Sequence, residues 1–327
     1  MIDQFKRNID YIRISVTDRC NLRCIYCIPE GGVRLVPHES ILTYEEWIRL
    51  CQYLAKLGIK KVKITGGEPL VRKNLPFLIG ELTKIKGIEQ VTLTTNGVLL
   101  KEQMKDIAKA GLNAVNVSLD TLSKGEFAAL TRFDVLHQVL DGVEEALKYP
   151  SIRVKLNCVP LKSYNDKAGI LNMASFAREH NLHVRFIEIM PLGYGREVIG
   201  YAEEEIKEFI GSEFGELIPF KEEIGNGPSH YYSLKGFQGK IGFISAVSHQ
   251  FCDNCNRIRL TSEGFLKNCL QYASGVNLRE LLRNGTSDSE IMEAIKSSIY
   301  GKPKRHTFDQ TLKHIEQDKR IMSQIGG

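Results

Sequence analysis

The chain has 327 residues, of which 43% are hydrophobic and 25% charged, values that are ordinary for a soluble globular protein with a sizeable core. No apolar run approaches the length that spans a membrane, and the first residues lack the apolar core of a signal peptide, so we expect a cytoplasmic protein without a membrane partner. The net charge of +5 is mild. The most basic run of the sequence, residues 302–306, is explained at least as well by a solvated loop as by a binding site for an anion, so we expect no nucleic-acid partner.

Short β-rich segments alternate with longer helical ones as far as residue 190. The predicted strands cover residues 11–16, 61–65, 91–95, 113–119, 152–159 and 183–190. The predicted helices between them cover roughly 43–57, 74–84, 101–110, 123–148 and 165–180. Such alternation indicates a parallel sheet that right-handed crossovers curl into an open sheet or a partial barrel. We therefore predict an α/β fold with a partial (β/α)6 TIM-like barrel.

The pattern changes after about residue 193. A short acidic helix at 202–210 precedes turn-rich β segments near 216–220, 230–235, 240–246 and 257–267, and helices follow around 277–283 and 288–299. We predict two domains, a partial barrel at 1–193 and a smaller α+β C-terminal region at 194–327.

Polar and glycine-rich residues follow three of the predicted strands. They are residues 65–69, 94–97 and 118–120. Because α/β enzymes bind their ligands at the carboxyl ends of parallel strands, we expect a ligand there.

The eight cysteines argue for metal binding or catalysis in a cytosolic chain, rather than for disulfides. Cys51 and Cys158 lie in a predicted helix and strand and are expected to be small buried residues. Cys20, Cys24 and Cys27 form a CxxxCxxC motif, and three thiolates on one loop can hold three corners of a [4Fe–4S] cluster with the fourth iron open. The alternative is a zinc site completed by a distant ligand, although zinc more often uses paired CxxC spacing.

A second set of three cysteines lies in the C-terminal region. Cys252 and Cys255 are spaced CxxC, and Cys269 follows after thirteen residues. A fourth cysteine is absent nearby, but His249 could complete a zinc site, so zinc remains an alternative. Two such sets in one chain suggest two facing clusters.

Several cations interrupt strands that should belong to one sheet. Arg257 and Arg259 are two residues apart, and Lys61 and Lys63 repeat that spacing, so each pair projects from one face of its strand. Arg13 and Lys155 also interrupt apolar strands. Each charge could be solvent-facing or neutralised by a carboxylate. Together, however, they indicate a polyphosphate ligand, because buried charge must be compensated.

These motifs resemble a known family. CxxxCxxC and Gly66-Gly67-Glu68-Pro69 resemble the radical S-adenosylmethionine (SAM) superfamily. The sequence from Cys252, CxxCNRIRLTxEG followed by Cys269, resembles more specifically the GTP 3′,8-cyclase family, as does the C-terminal pair Gly326-Gly327. The resemblance runs over nearly the whole chain and implies two [4Fe–4S] clusters and SAM as cofactors, with GTP as the substrate.

The resemblance also implies roles for individual residues. The SAM cluster would lie on Cys20, Cys24 and Cys27 and the substrate cluster on Cys252, Cys255 and Cys269. SAM would contact Tyr26, Gly67, Ser118 and Met190, and Glu68 or adjacent carbonyls could accept hydrogen bonds from its ammonium. GTP would contact Arg13, Lys63, Thr94, Lys155, Arg257 and Arg259. Lys61 and Arg185 would be further candidates for contacts with GTP, and Lys61, Gly326 and Gly327 would have supporting roles.

The implied reaction opens molybdenum cofactor biosynthesis. A 5′-deoxyadenosyl radical abstracts the ribose C3′ hydrogen, the carbon radical attacks guanine C8, and reduction gives (8S)-3′,8-cyclo-7,8-dihydroguanosine 5′-triphosphate, with no discrete acid or base. An external electron donor and the next enzyme of the pathway would be partners, and family precedent suggests a homodimer. The alternatives are another twin-cluster radical SAM enzyme, such as a peptide maturase with further auxiliary cysteines, or a non-catalytic iron–sulfur or zinc protein.

Overall fold

The computed structural model of the protein describes residues 1–225, 227–308, 318 and 320–326. Six parallel strands lie side by side in chain order. They are β1 (Tyr11–Ser15), β2 (Lys61–Thr65), β3 (Gln90–Thr95), β4 (Ala114–Ser118), β5 (Arg153–Cys158) and β6 (His183–Ile187). The predicted α/β fold with a parallel sheet is thereby confirmed, and each of the six strands agrees with the prediction to within three residues at either end.

Helices connect these strands. They are α1 (Tyr44–Lys56), α2 (Leu75–Lys84), α3 (Leu100–Lys109), α4 (Lys124–Thr131), α5 (Leu136–Leu147) and α6 (Lys167–Glu179). Local sequence sets their ends, as where Thr43 and Glu46 form a capping box that starts α1. The prediction of one helix over 123–148 is wrong, because Arg132 adopts a left-handed conformation with φ of 63° and ends α4.

The later strands extend the same sheet at both edges. They are β7 (Ile218–Phe220), β8 (His230–Ser233), β9 (Ile241–Ile244), β10 (Arg257–Leu260), β11 (Phe265–Lys267) and β12 (Gly275–Asn277). Strand β9 runs parallel to β6, and β10 runs parallel to β1. Within the described residues the sheet therefore has twelve strands, in the order β12-β11-β10-β1-β2-β3-β4-β5-β6-β9-β8-β7. The C-terminal helices are α7 (Glu203–Phe214), α8 (Leu278–Arg283), α9 (Asp288–Tyr300) and α10 (Met322–Ile325).

The main hydrophobic core lies between the sheet and its helices. In β1, Ile12 and Ile14 are fully buried in this core together with Trp47 of α1. Strand alternation then turns Arg13 to the opposite, inner face of the curved sheet. Cys51 and Cys158 are fully buried in the core, as expected. None of the described helices has the length and apolar character required to cross a membrane.

The boundary between domains at residues 193 and 194 stays a prediction. Strands from both sides of it contribute to one continuous sheet, which places the C-terminal cysteines beside β1.

Candidate functional site

A cavity of about 580 Å³ lies on the inner face of the curved sheet. Its wall includes residues that follow the carboxyl ends of strands, such as Gly67 and Asn96, as expected. It also includes Tyr11, Gln90 and Arg153 at the amino ends of their strands, so the cavity extends along the strands rather than staying at one edge. All six cysteines of the two groups line it.

The two cysteine groups lie at opposite ends of this cavity. Residues 20–27 follow the carboxyl end of β1, whereas Cys255 directly precedes the amino end of β10, which is parallel to β1. Cys269 joins Cys255 at that end because β11 runs antiparallel to β10. Four steps along β1 at ~3.3 Å each span roughly 13 Å, which leaves room for a nucleotide between the groups.

The first cysteine loop is held by the end of α4. The amide of Arg23 donates to Thr131 O at 3.1 Å, and that of Ile25 donates to Leu130 O at 3.0 Å. The guanidinium of Arg132 donates to the carbonyls of Arg23 at 2.6 Å and Ile28 at 3.0 Å. The helix break that the sequence did not reveal therefore supports the loop that carries Cys20, Cys24 and Cys27.

The glycine-rich turn after β2 packs directly against this loop. The amide of Gly67 donates a hydrogen bond to Thr17 O, and that of Glu68 donates one to Arg19 O, each at a distance of 2.7 Å. A Cβ on Gly67 would collide with the Arg19 carbonyl, so the close approach of the two backbones requires glycine there.

Glu68 braces the end of β3. Its buried carboxylate accepts hydrogen bonds from the Thr95 hydroxyl at 2.6 Å, the Asn96 amide at 2.6 Å and the Leu70 amide at 2.9 Å. Burial raises the pKa of Glu68 to about 7 despite these hydrogen bonds. Both oxygens of this carboxylate thus already accept hydrogen bonds from the protein.

Asp120 is a buried acid that the sequence analysis did not select as a site residue. It lies two residues beyond Ser118 at the end of β4, and its Oδ2 accepts a hydrogen bond from the Tyr26 hydroxyl at 2.6 Å. Burial raises the pKa of Asp120 to about 6, against the lowering effect of hydrogen bonds from Tyr26 and the Val159 amide. Tyr26, Ser118, Asp120 and Met190 all line the cavity near the first cysteine group.

The thiols of the two groups differ in their electrostatic surroundings. Burial raises the pKa of Cys20 to about 11 and that of Cys27 to about 12. Burial also raises the pKa of Cys255, but the nearby cations Arg257 and Lys302 outweigh it, and the pKa falls to about 7. The nearby cations therefore favour the thiolate of Cys255, whereas burial raises the pKa of Cys252.

The donor sets fit clusters better than single ions. In the described part of the chain, no three His, Cys, Asp or Glu side chains converge as ligands of one metal ion. Thiolates of a cubane cluster bind different irons and need not converge in that way. His249, the proposed fourth zinc ligand, is not part of the cavity wall, and its Nδ1 lies 3.2 Å from Ser248 Oγ and 4.0 Å from Glu203 Oε2.

Cations lie on the inner face of the sheet at β10, β1 and β2, and again at β5 and β6. Arg259 on β10, Arg13 on β1 and Lys63 on β2 are in register on neighbouring strands, which lie ~4.8 Å apart. Lys155 and Arg185 line the same cavity from β5 and β6. Burial and the neighbouring cations hold the pKa of Lys63 well below its usual range. Burial and, to a smaller extent, repulsion from the positive charge of Arg185 lower the pKa of Lys155 to about 6.

Among the described residues, no ion pair with a carboxylate involves the following cavity cations: Lys63, Lys155, Arg185, Arg257 and Arg259. Some of these cations instead donate hydrogen bonds to neutral acceptors. Lys155 Nζ donates to Ile224 O at 2.6 Å, and Arg185 donates to the side chain of Asn157. The arrangement is suited to a multiply charged anion.

Two further candidates occupy different positions. Thr94 lines the cavity, and its hydroxyl accepts a hydrogen bond from Asn116 at 3.3 Å. Lys61 does not belong to the cavity wall, and its Nζ pairs with Asp10 Oδ2 at 3.3 Å. The expectation that Lys61 supports the cation cluster is corrected accordingly, since its charge is already compensated at the amino end of β2.

The C-terminal segment enters the site. Arg259 Nη1 donates to Gly326 O at 2.7 Å, and Met322 and Ser323 line the cavity. Gly326 has a φ of 86°, and a Cβ there would lie 2.7 Å from Thr65 Oγ1. Gly327 lies outside the described residues.

The basic run at 302–306 is not a solvated loop throughout. Lys302 and His306 are buried at 3% and 7% exposure and line the cavity, whereas Lys304 and Arg305 are exposed. The expectation from sequence is wrong for these two residues, because the run packs against the second cysteine group.

Two family models match the chain. That of the radical SAM superfamily covers residues 14–174, and that of Molybdenum Cofactor Synthesis C covers residues 182–308. Curated relatives named GTP 3′,8-cyclase come from Clostridium perfringens (strain 13 / Type A), 46% identical, and Syntrophomonas wolfei, 45% identical. Each alignment covers 100% of both chains.

Solved structures with the same fold are more distant in sequence. Streptococcus suis SuiB bound to S-adenosylmethionine is 15% identical with a TM-score of 0.61, covering 96% of this chain and 75% of that one. SuiB bound to the precursor peptide SuiA is 16% identical with the same TM-score, covering 91% and 66%. At this identity the likeness concerns the fold alone.

Proposed function

This chain belongs to the GTP 3′,8-cyclase family of radical SAM enzymes, and from this premise we propose that it converts GTP into (8S)-3′,8-cyclo-7,8-dihydroguanosine 5′-triphosphate. This is the reaction that opens molybdenum cofactor biosynthesis. The observation that carries the proposal is one cavity with a three-cysteine group at each end and basic side chains from neighbouring strands between them.

The first cysteine group is proposed as the SAM site. Cys20, Cys24 and Cys27 would hold a [4Fe–4S] cluster, and the bound SAM and cluster together supply a 5′-deoxyadenosyl radical. Tyr26, fixed by Asp120, presents its ring to the cavity beside these cysteines. Gly67, Ser118 and Met190 complete the surroundings of SAM.

The cavity cations are proposed as the triphosphate site. Arg13, Lys63, Lys155, Arg257 and Arg259 face one cavity, and their side chains would donate charge-assisted hydrogen bonds to phosphate oxygens. Arg185 and Thr94 lie on the same face and would assist. Lysine at position 63 supplies charge without a bidentate fork.

Holding the triphosphate between the two groups positions the ribose. With Cys252, Cys255 and Cys269 proposed as ligands of a substrate cluster, the nucleotide would be fixed at both its base and its phosphates. Only one C–H bond would then face the radical, and such positioning is the main contribution that a protein makes to radical chemistry. The C-terminal segment, whose Gly326 accepts a hydrogen bond from Arg259, would shield the bound nucleotide from water.

We extend the proposal to the partners that the chemistry requires. An external donor supplies the electrons, and the product passes to the next enzyme of the pathway. We place the protein in the cytoplasm and expect a homodimer by family precedent. A peptide maturase with further auxiliary clusters is disfavoured, because the two remaining cysteines, Cys51 and Cys158, are buried in the core.

Anaerobic turnover tests the proposed function. Cluster-loaded protein with SAM and dithionite is incubated with GTP, ATP or no nucleotide, and 5′-deoxyadenosine and nucleotide products are followed by mass spectrometry. We expect 5′-deoxyadenosine formation to depend on GTP and to accompany a new nucleotide that is isomeric with GTP. Equal cleavage of SAM under all three conditions would refute the assignment of GTP as substrate.

A further inference from the structure

Lys302 connects the two segments that carry Cys255 and Cys269. It is 3% exposed and follows α9 closely in the chain. Its Nζ donates to Arg257 O at 2.9 Å and to Asn268 O at 2.5 Å. Asn268 directly precedes Cys269, and Arg257 lies two residues beyond Cys255, so one ammonium fixes the backbone next to two of the three thiols.

A second buried cation holds the remaining cysteine. Arg7 forms a buried ion pair with Asp3 at 2.6 Å. Its guanidinium also donates to Cys252 O at 2.9 Å, to Pro303 O at 2.8 Å and to Lys304 O at 2.8 Å. Arg7 thereby ties the segment after Lys302 to the first cysteine of the group, and its own charge is neutralised by Asp3.

The charge of Lys302 has no such neutralisation. Among the ion pairs of the described residues, none with a carboxylate involves Lys302. Two carbonyl dipoles satisfy hydrogen bonds but carry no net charge, and a buried ammonium requires compensation. Both carbonyls that it binds lie within two residues of Cys255 or Cys269, so thiolates of these cysteines would bring negative charge next to the ammonium.

We propose that Lys302 is a positioning and charge-compensating residue for an iron–sulfur cluster on Cys252, Cys255 and Cys269. Its carbonyl contacts hold the cysteine segments in place, and its ammonium offsets the negative charge of the thiolate-bound cluster. The inference rests on the proposed function, because the cluster at this site is itself part of that proposal.

The proposal has an electrostatic consequence that a purely structural role lacks. Reduction adds one negative charge to a cluster, so a fixed positive charge nearby favours the reduced state and raises the reduction potential. Lys302→Met keeps a long apolar stem but removes the charge, and Lys302→Arg keeps the charge. Lys304→Met is the matched control, because Lys304 lies in the same basic run and is exposed.

The test uses the full chain with Cys20, Cys24 and Cys27 replaced by alanine, so that only the second group can bind a cluster. Iron and sulfide are counted, and the potential is measured by redox titration followed by electron paramagnetic resonance. We expect Lys302→Met to lower the ratio of reduced to oxidised cluster about tenfold at a fixed potential, a shift of about 59 mV to a more negative value. Lys304→Met should leave the ratio unchanged, and Lys302→Arg should stay closer to the parent than Lys302→Met does.

The outcomes separate the inference from the proposed function. Failure of the alanine-substituted parent to bind any cluster would overturn the second-cluster site itself. A cluster in the parent, with Lys302→Met and Lys304→Met at the parent's potential, would overturn only the role of Lys302. If the Lys302→Met protein binds no cluster, the Lys302→Arg protein decides the question. A cluster in Lys302→Arg with a potential near that of the parent supports the proposal, whereas absence of a cluster in Lys302→Arg overturns the charge-compensating role.

Discussion

Replacing Lys63 with methionine should have opposite effects on GTP binding and on the stability of the free protein. Lys63 lies in register with Arg13 inside the cavity, and burial together with neighbouring cations lowers its pKa. Methionine fills similar space without charge. Mutual repulsion among the cations therefore falls, and the free, cluster-loaded protein should melt at a higher temperature.

The same change should weaken GTP binding substantially. A hydrogen bond to a charged group contributes roughly 1.5–3 kcal/mol, and 1.4 kcal/mol corresponds to a factor of ten. The dissociation constant for GTP should therefore rise about 10- to 150-fold. Anaerobic titration calorimetry without reductant measures this constant, since no turnover occurs.

Lys61→Met is the matched control on the same strand. Lys61 lies two residues earlier, outside the cavity wall, and pairs with Asp10. We expect its GTP affinity to stay within about twofold of the parent. If Lys61→Met weakened binding tenfold while Lys63→Met did not, the placement of the phosphate site on the cavity cations would be refuted.

Three further predictions concern the tail, the pH dependence and the SAM site. Gly326→Ala should reduce the amount of cyclised product while leaving the affinities for SAM and GTP intact, because the added Cβ would lie 2.7 Å from a side-chain oxygen. Gly215 is the control, since it has a similar φ of 89° but open space around it, and Gly215→Ala should retain activity. Equal loss of activity in both variants would mean that backbone strain alone is responsible. The pKa of Lys155 is about 6 in the free protein, and phosphate should raise it, so GTP binding near pH 7.5 should take up a proton and weaken as pH rises. Calorimetry in buffers of different ionisation enthalpy measures the uptake, which Lys155→Met should reduce to the part that Lys63 contributes. Tyr26→Phe should weaken SAM binding three- to tenfold, about 1 kcal/mol, because the hydrogen bond to Asp120 is lost; unchanged SAM affinity by equilibrium dialysis would contradict this.

The parts of the fold that follow from local pattern were predictable. The six parallel strands show apolar runs bounded by polar turns, and the cysteine spacing and glycine-rich turn identify the first end of the site. The helix break at Arg132 was not predictable, because a non-glycine residue adopts a positive φ there. Its side chain gains two carbonyl acceptors in the cysteine loop, and such tertiary contacts leave no local signal.

Long-range pairing also concealed part of the site. The sequence around Lys302 and His306 is typical of a basic surface loop. The pairing of β10 with β1, however, brings the second cysteine group against this segment, and the side chains of Lys302 and His306 are buried. The role of Arg7 was not predictable for the same reason, because its acceptors on Pro303 and Lys304 lie nearly 300 residues away in the chain. Asp120 could have been noticed as an acid at a strand end, but its contact with Tyr26 depends on how the cysteine loop folds back.

The most direct test of the central claim is the fate of the hydrogen at ribose C3′. GTP deuterated at C3′ is incubated anaerobically with cluster-loaded protein, SAM and dithionite, and the 5′-deoxyadenosine is analysed by mass spectrometry. A cavity that fixes the triphosphate between its two cysteine groups predicts transfer of one deuterium to 5′-deoxyadenosine and its absence from the cyclised product. Undeuterated 5′-deoxyadenosine, formed at the same rate from labelled and unlabelled GTP, would contradict the account.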